Sequence, residues 1–90
     1  MNIADRLEVS PDVVACEVGG ETMLLDLASG TYFGLDAVGS RVWQALEDGG
    51  SLAEACDKVA AEYDVARDQL ESDVLVLAGR LLEQGLVSAG

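Results

Sequence analysis

The spacing of the apolar residues changes at Asp36, and this change limits what the chain can fold into. Before Asp36, short runs of β-branched, aliphatic and aromatic residues are separated by glycines, as in β-strands joined by tight turns. After it, apolar residues recur every three or four positions in three longer segments, which is typical of amphipathic helices. A group of strands followed by a group of helices indicates an α+β domain.

Three strands are predicted in the first part of the chain, over residues 13–18, 21–27 and 31–35. Gly19 and Gly20 can form the turn of a hairpin between the first two strands, because glycine tolerates the positive φ that such a turn requires. We therefore expect a three-stranded antiparallel sheet whose third strand has no later strand to pair with.

One domain is expected, because 90 residues leave no room for a second. Residues 1–11 show little periodicity and are interpreted as a partly ordered lead-in that ends at Pro11. The domain itself is predicted over residues 12–90.

The first two predicted helices each begin with a capping residue. Asp36 can accept hydrogen bonds from free amides at the start of the first helix. Ser51 and Glu54 form a capping-box pattern at the start of the second helix, which is expected to run to about Tyr63. Four residues of the second helix are predicted to face inward: Leu52, Cys56, Val59 and Ala60.

The third helix is predicted from about Ala66 to Gln84, and Gly85 ends it as a C-terminal glycine. Its core face is predicted to consist of Leu70, Val74, Leu77 and Leu81. Three short helices with glycine-containing turns, preceded by hairpins, indicate a winged helix-turn-helix-like architecture.

The charge of the chain argues against several functions. The sequence has 17 Asp and Glu, 5 Lys and Arg and no His, for a net charge of −12. Without histidine there is no Ser-His-Asp or Cys-His catalysis and no imidazole metal ligand. The negative charge repels phosphate, so neither nucleic acid nor an anionic membrane is expected as a partner. We predict a protein that is not an enzyme and uses no metal or cofactor.

The chain is expected to be cytoplasmic. Its first ten residues lack the basic start and apolar run of a signal peptide. The longest apolar run, residues 74–78, is too short to span a membrane. Cys16 and Cys56 are interpreted as two small buried hydrophobic residues in a reducing compartment rather than as a disulfide.

Two features indicate that the protein binds a peptide. The third predicted strand carries no Lys, Pro or central charge, so its free edge could accept an extended peptide. The alternative is that the lead-in or a second copy covers this edge. The third helix is apolar beyond one stripe, so some of its side chains could line a groove beside the strand; alternatively, all of them pack under the sheet.

The order and spacing of these segments resemble the PqqD-like family. The resemblance covers about residues 12–88 and is carried by VGGETMLLDL (18–27), GTYFGLDAVG (30–39), Val42-Trp43, SLAE (51–54), EYDV (62–65), Leu70-Glu71, Asp73-Val74, Leu81 and GLV (85–87). It implies a RiPP recognition element, a module that binds the leader segment of a ribosomally made precursor peptide and delivers it to modifying enzymes.

The resemblance also implies where the leader binds. In this family the leader adds as a strand to the third strand and packs against the third helix. Carried over, the peptide-binding residues are Thr31, Tyr32, Phe33, Gly34, Leu35, Asp73, Val76, Leu77 and Arg80. The opposite flank of the helix, Leu75 and Leu82, is the alternative wall of the groove.

The pathway implied by the resemblance is a lasso peptide pathway. Gly85-Leu86 stands where the pyrroloquinoline quinone subgroup has Gly-Trp, which favours the short leader-binding proteins that act with a leader protease and a cyclase. The alternatives are a PqqD-type chaperone for a radical-SAM pathway, a winged-helix transcription regulator, and a small subunit of an enzyme. The free strand edge would also permit a dimer.

Overall fold

The computed structural model describes residues 2–89, which form two small sheets and three helices. The elements are β1 (Leu7–Val9), β2 (Val13–Val18), β3 (Glu21–Asp26), β4 (Thr31–Leu35), α1 (Ala37–Glu47), α2 (Leu52–Glu62), α3 (Arg67–Glu83) and β5 (Val87–Ala89). Strands β2, β3 and β4 form an antiparallel sheet in that order, and the three helices follow. The predicted α+β fold is thereby confirmed.

The predicted turn and cap residues have the geometry expected of them. Gly19 and Gly20 both have positive φ, at 62° and 86°, as a two-residue hairpin turn requires. The carboxylate of Asp36 accepts a hydrogen bond from the backbone N–H of Gly39 at 2.7 Å and caps α1. Ser51 and Glu54 form the capping box of α2. These local signals explain why the predicted element boundaries lie close to those of the structure.

Two short strands, β1 and β5, were not predicted. They pair antiparallel with each other, with Leu7 opposite Ala89 and Val9 opposite Val87. The segment expected to be a lead-in therefore contains a strand, and Leu7 is only 4% exposed in the core. A strand of three residues is too short to show an alternating pattern in the sequence.

The start of the chain also caps α2. The backbone N–H of Leu52 donates to the carbonyl oxygen of Asp5 at 3.0 Å, and that of Ala53 donates to Ile3 at 2.8 Å. These bonds satisfy amides of the first turn that have no partner within the helix.

The helices bury a face slightly different from the predicted one. On α2, Ala60 is exposed and Ala55 is buried instead, so the inward prediction for Ala60 is wrong. On α3, Ala78 lies in the core where Leu77 was expected, and Leu77 is half-buried. The small side chains of Ala55 and Ala78 are fully buried, although alanine is less hydrophobic than most of the residues predicted to face inward.

The sheet has one face against the core and one that is largely exposed. Leu24 on β3 is fully buried, whereas Val14, Val18, Met23 and Tyr32 are exposed. The register of the strands puts these exposed residues on the same outer face, because side chains alternate between the two faces of a sheet.

The two cysteines differ in their surroundings. Cys56 lies in the core as predicted, but Cys16 is exposed on the outer face of the sheet, so the prediction that both are buried is wrong. Both are free thiols, and burial raises the pKa of the Cys56 thiol above its ordinary value of 9.0. An exposed strand can contain a small apolar residue, and the sequence pattern does not distinguish the two faces.

We expect alkylation to distinguish the two thiols. At pH 8, iodoacetamide should modify Cys16 within minutes and leave Cys56 unmodified, because the reagent can reach only the exposed thiol and burial raises the pKa of the Cys56 thiol. Intact-mass measurement should show one adduct for the folded protein and two after unfolding in urea. Rapid modification of Cys56 in the folded protein would contradict its burial.

Candidate functional site

A groove lies between β4 and α3, with the beginning of α1 at its base. Its cavity volume is about 370 Å³. Phe33, Gly34 and Leu35 line it from β4, Asp36, Val38, Gly39 and Val42 line it from the start of α1, and Asp73, Val74, Leu77 and Arg80 line it from α3. We call this the β4–α3 groove.

The outer edge of β4 borders this groove and has no partner strand among residues 2–89, since β4 is the last strand of its sheet. The expected alternative, that the lead-in covers this edge, is not what the structure shows, because β1 pairs with β5. The edge therefore exposes a row of backbone N–H and C=O groups beside an apolar surface.

The register of the sheet identifies which backbone groups face outward. The two-residue turn makes Val18 and Glu21 a hydrogen-bonded pair, and such pairs alternate along an antiparallel ladder. Thr22, Leu24 and Asp26 therefore bond to β4, where their partners are Leu35, Phe33 and Thr31.

The remaining two residues of β4, Tyr32 and Gly34, therefore direct their N–H and C=O groups away from the sheet. Two bonds outside the strands support this alternation. The N–H of Leu27 donates to the carbonyl of Asp12 at 2.9 Å, and the N–H of Gly30 donates to the carbonyl of Asp26 at 2.7 Å. The backbone of Leu27 thus bonds on the β2 side and that of Asp26 on the β4 side, which is the alternation that the register requires.

Gly39 allows α1 to approach β4 closely at the base of the groove. A Cβ atom at this position would lie 3.3 Å from Cδ2 of Leu35 and 3.2 Å from the carboxylate of Asp36. Both distances are shorter than ordinary van der Waals contacts. A glycine here therefore leaves room for the Leu35 side chain where β4 leads into α1, at the base of the groove.

The wall that α3 contributes has an apolar centre and charged ends. Leu77 lies between Asp73 and Arg80, which are seven residues apart and so about two helical turns apart on the same side of the helix. The carboxylate of Asp73 accepts a hydrogen bond from the side-chain amide of Gln69 at 2.9 Å. The groove thus offers apolar contacts in its middle and polar groups at its limits.

Six of the nine predicted site residues line the β4–α3 groove: Phe33, Gly34, Leu35, Asp73, Leu77 and Arg80. The other three do not. Tyr32 is 67% exposed on the outer face of the sheet, and Val76 is 58% exposed on α3. Thr31 lies at the turn, where its hydroxyl is hydrogen-bonded to that of Ser29 at 3.0 Å.

The structure also distinguishes between the two flanks of α3. Leu75 and Leu82, the alternative wall, are half-buried against the core and do not line the groove. The groove lies on the flank of Asp73, Leu77 and Arg80. The sequence could not separate the flanks, because both carry apolar residues at helical spacing.

Sequence reasoning missed the contribution of α1 to the groove. Val38 and Val42 are four residues apart on the first predicted helix, and neither was among the predicted site residues. Their position at the base of the groove depends on how α1 meets β4, which is a property of the tertiary structure. Gly39, just after the strand–helix junction, is the signal that could have indicated a close approach there.

The residues that the structure describes indicate no metal centre and no membrane span. Within residues 2–89, no group of three or more Cys, Asp or Glu side chains could hold a metal ion. None of the helices in this part of the chain is long and apolar enough to cross a bilayer.

Comparison with known families identifies the chain. Residues 21–87 match the family described as coenzyme PQQ synthesis protein D, PqqD. The chain belongs to the PqqD family. The match extends from β3 to the first residue of β5 and includes every residue of the β4–α3 groove. No curated protein sequence matches the chain.

Two solved structures of similar proteins share the fold. TbiB1 in complex with the TbiA(beta) leader peptide is 42% identical, with a TM-score of 0.83 over 89% of this chain and 93% of that chain. A lasso peptide synthetase B1 complexed with the leader peptide is 29% identical, with a TM-score of 0.81 over 91% of this chain and 96% of that chain. The PqqD-like resemblance seen in the sequence is thereby confirmed.

Proposed function

We propose that this protein binds the leader segment of a ribosomally synthesised precursor peptide and catalyses no reaction itself. The observation that supports the proposal most is the free edge of β4 beside a groove with an apolar centre, in a PqqD-family fold. The 42% identical TbiB1 and the 29% identical B1 protein, both solved as complexes with leader peptides, support it.

In this proposal the leader extends the sheet as a fourth strand. The outward N–H and C=O groups of Tyr32 and Gly34 would bond to the peptide backbone, each bond contributing about 1 kcal/mol net. Every second side chain of the peptide would point into the groove, because side chains alternate along a strand. Apolar side chains there would contact the half-buried Val38 and Leu77 and supply most of the affinity.

Binding in this manner would hold the leader for enzymes that modify the rest of the precursor. We propose that these enzymes are a leader protease and a cyclase, as the PqqD-like resemblance implies. A lasso peptide pathway is favoured because the 29% identical relative is a lasso peptide synthetase B1. The net charge of −12 further suggests that the leader or an enzyme partner brings basic residues. A steep loss of affinity with added salt would support this contribution.

Isothermal titration calorimetry with a set of synthetic leader peptides tests the proposal. The set contains the TbiA(beta) leader and the N-terminal segments of short precursor genes encoded beside this protein. Each leader is matched by a scrambled peptide of the same composition. We expect one-to-one binding of at least one leader and no binding of its scrambled form. Equal binding of leader and scrambled peptides, or no binding by any leader, would contradict the proposal.

The same titration should distinguish two neighbouring side chains of α3. Leu77→Ala is expected to weaken binding about 5- to 30-fold, because the variant loses about 1–2 kcal/mol of apolar contact with the peptide. Val76→Ala is the matched control, since Val76 is exposed and lies outside the groove. It should bind within twofold of wild type. Equal losses in the two variants, at equal thermal stability, would show that the peptide does not use this wall.

A further inference from the structure

We propose that Arg80 selects leader peptides that place a carboxylate side chain at its end of the β4–α3 groove. This inference rests on the proposed function and adds the charge that the peptide must carry at one position. It follows from a comparison of the ion pairs that the five Lys and Arg side chains form within the protein.

Four of the five Lys and Arg residues are paired with carboxylates of the protein. Arg6 lies 3.6 Å from Glu54, Arg41 lies 2.7 Å from Glu62 and Lys58 lies 3.2 Å from Asp48. Arg67 contacts two carboxylates, Asp57 at 2.7 Å and Glu71 at 2.8 Å. These pairs connect elements of the fold or neighbouring turns of one helix.

Arg80 is the exception. Among residues 2–89 its side chain has neither an ion-pair partner nor a hydrogen bond, although the chain has 17 acidic residues. Glu83 is only three positions further along α3, within the usual spacing of a helical ion pair, yet the two do not pair. Arg80 lines the β4–α3 groove instead.

Neither of the two acidic residues of the groove forms an ion pair with Arg80. Asp36 is hydrogen-bonded to the backbone of Gly39, and Asp73 is hydrogen-bonded to Gln69. Asp73 is also about 10 Å from Arg80 along the helix axis, with Leu77 between them. Arg80 is therefore the one cation among the residues that line the groove, and it lies at one end of the wall formed by α3.

A strand added to β4 would bring side chains to this end. Groove-facing side chains of an extended peptide repeat about every 6.8 Å, so one of them would come within reach of the flexible Arg80 side chain. A guanidinium binds a carboxylate through two parallel N–H···O bonds, which makes Asp or Glu the fitting residue there. The bound peptide would also cover Arg80 and exclude water, which would strengthen the ion pair between the guanidinium and the peptide carboxylate.

A double-mutant cycle tests the inference. The probe is the leader that binds best in the calorimetric set, with each acidic residue replaced in turn by its amide. Arg80→Gln should weaken the unmodified leader about fivefold, and one acid-to-amide replacement should weaken wild-type binding equally. That replacement should then have no effect on the Arg80→Gln variant. Lys58→Gln, which removes the same charge far from the groove, should bind like wild type.

Charge reversal gives a second test. If Arg80 only stabilised the end of α3, a changed charge on the peptide would not restore binding. Arg80→Glu should bind the unmodified leader more than tenfold more weakly, and a Lys at the identified peptide position should restore binding. Additive losses in the cycle, or no rescue by the Lys peptide, would overturn the inference while leaving leader binding intact. If no leader binds the wild-type protein, both the inference and the proposed function fail.

Discussion

The Gly34→Pro variant is expected to lose leader binding by a factor of at least 100 while it remains folded. Proline replaces the outward N–H of Gly34 by a ring that projects into the space of an added strand. Proline is tolerated in an edge strand where the N–H faces solvent, so the sheet itself should survive. Circular dichroism and thermal unfolding would confirm the fold, and calorimetry with the best-binding leader would measure the loss.

Two matched variants separate this effect from general damage to the sheet. Gly34→Ala keeps the N–H, and the nearest atom to its added methyl group is Cε of Met23 at 3.9 Å, an ordinary contact. Ala15→Pro places proline on β2, at the opposite edge of the sheet, where the register also turns the N–H outward. Both should keep binding within about threefold. Full binding by Gly34→Pro, or an equal loss in Ala15→Pro, would contradict strand addition at β4.

Trp43→Ala is expected to lower the free energy of unfolding by about 3–5 kcal/mol, the largest stability effect that we predict for one side chain. Trp43 is 1% exposed and is the largest of the fully buried side chains. It neighbours Val42, which lines the groove, so a cavity at Trp43 would also loosen the base of the site. A domain of this size is stable by only about 5–15 kcal/mol, so much of its stability would be lost.

Trp43→Phe is the matched control for this prediction. The indole N–H of Trp43 is the one buried side-chain polar atom in residues 2–89 that has no hydrogen-bond partner. Phenylalanine removes that unpaired group and keeps an aromatic ring, so the lost packing is partly offset and the net cost should be about 1 kcal/mol. Urea unfolding followed by circular dichroism measures both variants. Similar losses for Ala and Phe would contradict the prediction that the aromatic ring provides most of the stability contributed by Trp43.

The elements that could be predicted are those encoded by local signals. The glycine pair at 19–20 and the caps Asp36 and Ser51 define turns and helix starts within a few residues, without reference to the rest of the chain. β1 and β5 could not be predicted in this way. Each has three residues, and they pair across more than 70 positions of sequence, so neither carries a pattern of its own.

The candidate site was predicted in part for the same reason. The edge position of β4 follows from strand order, because no later strand was expected beside it. The apolar excess of α3 also followed from the sequence, but the choice between Leu77 and the opposite flank of Leu75 and Leu82 did not. A rotation of α3 by a few tens of degrees would exchange the two flanks, and only packing against α1 and the sheet sets that rotation.

The sequence by itself determined the α+β order of elements, the free edge strand and the acidic charge that argues against nucleic acid. Each of these depends on residue type and on spacing within one segment. The tertiary structure alone decided that Val38 and Val42 form the base of the groove, that the N-terminal segment joins the core, and that Arg80 faces the groove unpaired. These properties depend on which elements meet in space, and contacts between distant segments leave no periodic signal in the chain.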